Sequence, residues 1–301
     1  MLSTIVAFII LYFDRWFLQI IGGSAQQGYF SLSDKLGAIA IIFTSAMTPL
    51  LSREFAHSYE EHDKARMARL FDRIKVFLFI ASVLGCFMSV QSSAIVELIG
   101  GEKYQNAVVP IAIMALYPIH QTFGQLSAAL LLATGQTGLY AKIAVLVMLL
   151  SVPMSYFFMA PSNYLLPGLA LGATGLAIKM LLLQFVGTNI QLYFNTRFLG
   201  VSFRKWMIHQ LKTVGIIYAL ALLSRFVAAK IANDYFSAWN VFNIDSHAFT
   251  ASLHLGFSGI FFIVIVFSVF ITAPSLAGIK RDELVTFYCD CFNKLQIKKG
   301  L

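Results

Sequence analysis

Five ionisable side chains stand inside otherwise apolar stretches of this sequence: Asp14, Arg15, Asp34, Lys35 and Lys179. A charge at the centre of a hydrocarbon layer costs roughly 2.5–3.5 kcal/mol on insertion scales. Unpaired and facing lipid, the set would cost on the order of 12–17 kcal/mol. These residues must therefore face protein or water. Three cations against two anions leave their zone net positive, which suits an anionic ligand. Arginine grips a phosphate through two parallel hydrogen bonds, and lysine serves as a point charge. The competing reading is internal pairing, Asp14 with Lys35 and Arg15 with Asp34, which would merely fix two helices. Successive helical residues point about 100° apart, so one member of each couple can pair while the other faces a cavity. His120, Gln121 and Gln125 follow Pro118 and are further candidates to line that cavity, with simple packing as the alternative for the histidine.

The elements that must carry these residues are membrane helices. Crossing about 30 Å of hydrocarbon takes about 20 helical residues. Eight stretches qualify: 2–21, 28–52, 76–99, 107–133, 138–160, 166–195, 209–229 and 250–273. None shows the strict alternation of a membrane barrel. Counted from the ends of those stretches, Arg15 and Lys179 each lie ~20 Å deep and Lys35 ~12–15 Å deep. All three cations reach one zone near mid-membrane.

Composition excludes a soluble fold. Hydrophobic residues make up 58% and charged residues 12%, against about 45–50% and about 25% in soluble domains. Mean hydropathy is +0.77. Too little polar surface remains to cover a globule, so lipid must cover the rest. A net charge of +8 belongs on loops beside anionic lipid heads rather than on nucleic acid. Sixteen lysines and arginines fall on the connections 53–75, 134–142 and 196–212 and on the C-terminal tail, against three on the alternate connections. That asymmetry puts both termini in the cytoplasm. Residues 1–21 lack a basic leader region and contain Asp14 and Arg15, so they read as a retained span and not a cleaved signal.

The remaining features are bland. Residues 57–73 read as a polar helix at the cytoplasmic interface, with Glu60 and Lys64 at i,i+4 spacing. Gly135-Gln136-Thr137-Gly138 reads as a tight turn, and Gly168, Gly172 and Gly175 as close helix packing. Pro49, Pro118 and Pro153 are positions for kinks. Cys86 lies in an apolar run, and Cys289 and Cys291 on the tail read as reduced thiols. There is no nucleophile elbow, no H-E-x-x-H and no metal-ligand spacing, so no enzyme, metal or cofactor is expected. The longest outer connection, 230–249, carries Asp234, Asp245 and His247 and is too short for a catalytic domain.

A family resemblance rests on order and spacing. Asp14-Arg15, then Gly28-Tyr29-Phe30-Ser31-Leu32-Ser33-Asp34-Lys35-Leu36, then Pro49 and Arg53, resembles the start of the second half of a polysaccharide flippase. The family meant is the O-antigen (Wzx-type) exporters of the multidrug/oligosaccharidyl-lipid/polysaccharide (MOP) superfamily. Leu131-Leu132-Ala133-Thr134-Gly135-Gln136-Thr137 and Gly172-Ala173-Thr174-Gly175 resemble later landmarks of that half. The likeness covers residues 10–200.

The resemblance implies an all-α integral membrane fold of about eight transmembrane helices. Residues 1–200 would form the six-helix second lobe of a MATE-like flippase, and residues 201–301 two further helices and a basic tail. It implies a multi-pass protein of the bacterial inner membrane that moves undecaprenyl-diphosphate-linked oligosaccharide, an O-antigen, capsule or exopolysaccharide unit, to the outer leaflet. A separate N-terminal lobe or polysaccharide assembly proteins would be its partners. Arg15 and Lys35 would be anion contacts and Lys179 a third, with Asp14 an alternative ion-coupling group. The rival readings are a lipid II or multidrug exporter of the same superfamily and a membrane glycosyl polymerase or ligase. A drug exporter of organic cations would favour an acidic cavity, and a polymerase would want a large outer loop with arginine and histidine.

Overall fold

A computed structural model describes residues 2–39, 41–164, 166–239, 247–279 and 281–282. Cys289, Cys291, Lys294, Lys298 and Lys299 of the tail, the Asp245 position, and the side chains of Asp234 and His247 lie outside what is described. The described chain is all-helical: α1 (Leu2–Ile39), α2 (Ile42–Glu60), α3 (Lys64–Val90), α4 (Ser92–Ile99), α5 (Val108–Met114), α6 (Tyr117–Ala133), α7 (Thr137–Met159), α8 (Gly172–Leu199), α9 (Phe203–Trp239) and α10 (His247–Thr272). Short 3-10 turns add Glu102–Ala107 and Pro274–Ala277. Among the described residues, six helices are long and apolar enough to cross a membrane: Lys64–Val90, Glu102–Ala133, Thr137–Met159, Gly172–Leu199, Phe203–Ile231 and Ala251–Thr272. The expected spans 2–21 and 28–52 fall on α1 and α2, outside those six.

Helix α1 turns back on itself. Nη2 of Arg15 lies 2.8 Å from Oδ2 of Asp34, nineteen residues further on. Along a straight helix those residues would stand about 28 Å apart. The reversal occurs at Gly23, whose φ of 71° and ψ of −175° lie in a region open essentially to glycine alone. Two limbs result, residues 2–22 and 24–39. A small core of Leu18, Phe30, Met114, Met159, Ala173 and Leu176 seats them on α5, α7 and α8.

The larger core joins α2, α3, α6 and α9 through Phe55, Phe71, Leu78, Phe123 and Trp206. Helix α6 lies against α8, and the two run in the same direction. A Cβ on Gly124 would stand 2.7 Å from Oγ1 of Thr188, so only glycine permits the approach. Further along, Nδ2 of Asn195 donates to the Ser127 carbonyl at 2.8 Å.

Several expected boundaries move, each for a local reason. The span expected at 107–133 is interrupted between Met114 and Tyr117, because Pro118 sits in the first turn of α6 and has no N–H to continue α5. Pro49 and Pro153 stay inside continuous helices. The span expected at 76–99 breaks at Gln91 (φ −93°, ψ 11°), whose side-chain amide donates to Ser258 on α10. The polar helix expected at 57–73 does not form. His62 takes a positive φ of 58°, and Asp63 caps α3 by accepting from the Arg66 backbone N–H at 2.8 Å. The Glu60–Lys64 pair is thereby split between two helices. Arg66 instead bridges Glu54 at 2.9 Å and Glu61 at 3.0 Å. The turn expected after Ala133 is present, with Gly135 at a φ of 73°.

The sixth span also shifts. Residues 161–171 form a connection and α8 starts at Gly172. Pro161 and Pro167 remove two backbone donors from that stretch, and Ala170 returns to donate to the Ala160 carbonyl at 3.0 Å. Gly168 therefore lies in a loop, while Gly175 makes the expected close approach, its added Cβ falling 2.6 Å from the Phe158 carbonyl. Lys179 ends up about 10 Å from the start of its helix, against about 20 Å from the start of the span expected from the sequence.

Candidate functional site

The site is organised by the neighbours Asp14 and Arg15 on the first limb of α1. They point different ways, and each meets one partner. Asp14 turns into the protein. Its Oδ2 receives the Lys179 ammonium from α8, and its Oδ1 receives the Ser155 hydroxyl from α7. Lys179 is 1% exposed and Asp14 5%, so this is a buried ion pair joining three helices. The expectation of Asp14 with Lys35 is therefore corrected: a more distant cation reaches the carboxylate first. Lys179, expected in the ligand cavity, is spent on Asp14 and faces the interior.

Arg15 turns outward. It pairs with Asp34 on the second limb at 2.8 Å, the two side chains remaining 35% and 37% exposed. Lys35, next in sequence, is exposed, and no ion pair to it occurs among the described residues. Two neutral pairs and one surplus cation account for the five charges, so the net positive charge read from the sequence sits at Lys35.

A groove of about 590 Å³ opens along this limb, lined by Tyr12, Phe13, Arg15, Trp16, Gln19 and Gln27. Nε of Arg15 and Oε1 of Gln27 are buried without a hydrogen-bond partner among the described residues. One is a donor and the other an acceptor, and both belong to groove-lining side chains. A half-exposed ion pair and an exposed lysine are incompatible with hydrocarbon. This face is covered by water, by a ligand or by another protein surface. Tyr12, Trp16, Gln19 and Gln27 were not singled out from the sequence. The signal was there: positions 12, 15, 16 and 19 repeat at i, i+3, i+4 and i+7, one face of a helix.

His120 lies away from the groove. Gln210 of α9 approaches its Nδ1 at 2.9 Å, and the Phe185 ring of α8 meets it edge-on at 5.0 Å. Its backbone carbonyl accepts from Thr188 at 3.0 Å. These contacts tie α6 to α8 and α9 and leave His120 outside the constellation of Arg15 and Lys35. Gln125 also lies on α6, its Oε1 buried without a partner among the described residues. Arg225, placed on an outer connection by the charge count, lies within α9. It donates to the Val90 carbonyl at 2.7 Å, filling an acceptor freed where α3 ends.

Fold and site together define a multi-pass α-helical membrane protein with a charged groove on its first helix. No protein-family model, no curated protein and no solved structure matches the chain.

Proposed function

We propose that this chain is the second lobe of a polysaccharide flippase, with its two additional helices, and that it moves an undecaprenyl-diphosphate-linked oligosaccharide across the bacterial inner membrane. The observation that carries the reading is the open groove lined by Arg15 on the first limb of α1, with Lys35 on the second limb exposed and without an ion pair among the described residues. An anion with a lipid tail suits such a place. The diphosphate meets Arg15 and Lys35 while the tail stays in hydrocarbon. Counting the two limbs of α1, the second continued by α2, gives eight rods, which supports six helices plus two. With the basic connections in the cytoplasm, both termini lie there as well. A first lobe, on a separate chain or preceding this one, faces the groove and alternates with it between inward- and outward-open states.

The pairing of Asp14 with Lys179 favours a fixed structural role for Asp14 over ion coupling. The surplus positive charge at Lys35 disfavours organic cations as cargo. Lipid II, which carries the same diphosphate, is the reading nearest to this one.

Complementation tests the proposal. A strain lacking its O-unit flippase receives this chain alone or with a first lobe, each with and without Arg15→Ala and Lys35→Ala, and surface polysaccharide is scored by gel ladder. Rescue that both substitutions abolish at equal expression supports it. Rescue indifferent to both substitutions overturns the assignment of the site. Rescue only of a strain depleted of its lipid II flippase moves the cargo to lipid II.

A further inference from the structure

The groove holds more than charge. Tyr12 and Trp16 stand one helical turn apart, about 6 Å along the axis, on the face that also carries Arg15 and Gln19. They are 58% and 61% exposed, yet they share their turn with a charged pair. Interfacial tryptophans and tyrosines sit at headgroup level, where no charge needs shelter from hydrocarbon. Here both rings line the groove together with Arg15 and Gln19.

The rings are also braced. Trp16 leans on Phe13, centroids 6.4 Å apart. Phe13 stacks on Phe17 at 5.5 Å, and Phe17 on Tyr156 of α7 at 6.0 Å. Tyr156 in turn donates to the Leu166 carbonyl at 2.8 Å. A chain of rings thus runs from the groove to a hydrogen bond on a neighbouring element. It braces one side of the Trp16 ring, and a braced side chain has less freedom to lose on binding.

A flat aromatic surface beside carboxamides and a guanidinium has a matching ligand chemistry. A pyranose ring offers a face of C–H groups, each slightly positive, to the negative face of an aromatic ring. Its hydroxyls, at the ring edge, need donors and acceptors. The carboxamide of Gln19 and the guanidinium of Arg15, both on groove-lining side chains, supply both. The groove, about 590 Å³, is open along one side, so it would hold a ring by one face and leave the rest of a saccharide outside. Organic cations would also stack on Trp16, but Lys35 and Arg15 oppose them.

We infer that Tyr12 and Trp16 form a sugar platform that stacks the first saccharide of the cargo while Arg15 holds the adjoining diphosphate. The inference rests on the flippase reading for its cargo. It makes the first sugar, and not the phosphate or the tail, the part of the cargo this lobe distinguishes.

The test uses the full chain in lipid nanodiscs, labelled with 5-fluorotryptophan. The three tryptophans give three fluorine resonances, and Trp16→Phe assigns one. The probes are farnesyl diphosphate and farnesyl diphosphate carrying one N-acetylglucosamine. The platform predicts that a water-soluble paramagnet broadens the Trp16 resonance more than a paramagnet fixed at mid-acyl depth does. It predicts that the sugar-bearing probe shifts that resonance and binds about three- to tenfold more tightly than the sugarless one. Trp16→Ala removes the difference and keeps farnesyl diphosphate binding, while Trp16→Phe keeps most of it. A Trp16 broadened chiefly from within the lipid overturns the inference without any ligand. Equal affinity for the two probes overturns it as well, as does equal loss of both in Trp16→Ala. Farnesyl diphosphate binding indifferent to Arg15→Ala and Lys35→Ala refutes the flippase site itself, a distinct result.

Discussion

Replacing Lys179 by methionine isolates the buried pair. The substitution nearly conserves volume and leaves the Asp14 carboxylate with Ser155 as its remaining described donor. Breaking a buried ion pair from one side costs about 3–5 kcal/mol. The exposures of 1% and 5% place this pair at the full end of that range, because no solvent is at hand to take over from the ammonium. Ser155 offsets part of the loss, so about 3 kcal/mol is the expected value. Asp14→Asn alone strands the ammonium and costs a similar amount. The double variant, Asp14→Asn with Lys179→Met, strands no charge and keeps a Ser155 contact. It recovers most of the stability, losing about 1 kcal/mol, which gives a coupling energy of about 4–5 kcal/mol in a double-mutant cycle. The assay is reversible unfolding in mixed micelles, with far-UV ellipticity as the signal. A loss below about 1 kcal/mol for Lys179→Met would refute the reasoning, since it would put Lys179 in water. A stable Lys179→Met variant that fails only in transport would return this lysine to the ligand cavity.

Further outcomes follow from single contacts. Gly23→Ala destabilises the chain by about 1–3 kcal/mol in the same unfolding assay. Nothing stands within 4 Å of the added Cβ, so the whole cost is backbone conformation. In the folded protein in nanodiscs, Cys86 (0% exposed) resists a charged maleimide, whereas Lys35→Cys reacts within minutes. Protection of the new thiol at 35 would contradict a hydrated groove. Arg225→Leu leaves the Val90 carbonyl without its side-chain donor and costs about 1–3 kcal/mol, with faster backbone hydrogen exchange where α3 gives way to α4. Asp63→Ala removes the cap of α3 and costs about 0.5–2 kcal/mol by thermal melting.

Much of the scaffold was legible because apolar runs and prolines act locally. The interruption at Pro118 and the turn after Ala133 needed only neighbouring residues. So did the Arg15–Asp34 pair, once two helices were placed side by side. What escaped the sequence depended on distant segments. Asp14 had two plausible cations by depth, and only the packing of α1 on α8 chooses Lys179 over Lys35. The helix carrying Lys179 starts later than the apolar run suggests, at Gly172, because Pro161 and Pro167 turn an apolar stretch into a connection, and hydropathy does not register that. Gly23 looked like one small residue in a Gly-Gly pair, and nothing local marks it as the place where α1 reverses. The face of Tyr12, Trp16 and Gln19 has the i, i+4, i+7 spacing of one helix side, but spacing alone does not say that a groove lies over it.

On the proposed function, the salt link between Arg15 and Asp34 would make the groove selective by valence. Its arginine already has an anion, supplied by the protein and held at high local concentration. A chloride ion entering the groove brings the same single charge as Asp34 and none of its tethering, so it loses the competition. A diphosphate brings more charge and more acceptors, and Lys35 stands one residue away to receive the excess. Displacement also frees the Asp34 carboxylate, so an occupied groove differs from an empty one in the position of a negative charge. The resident carboxylate would then act as a placeholder that keeps small inorganic anions out and yields only to a multivalent guest.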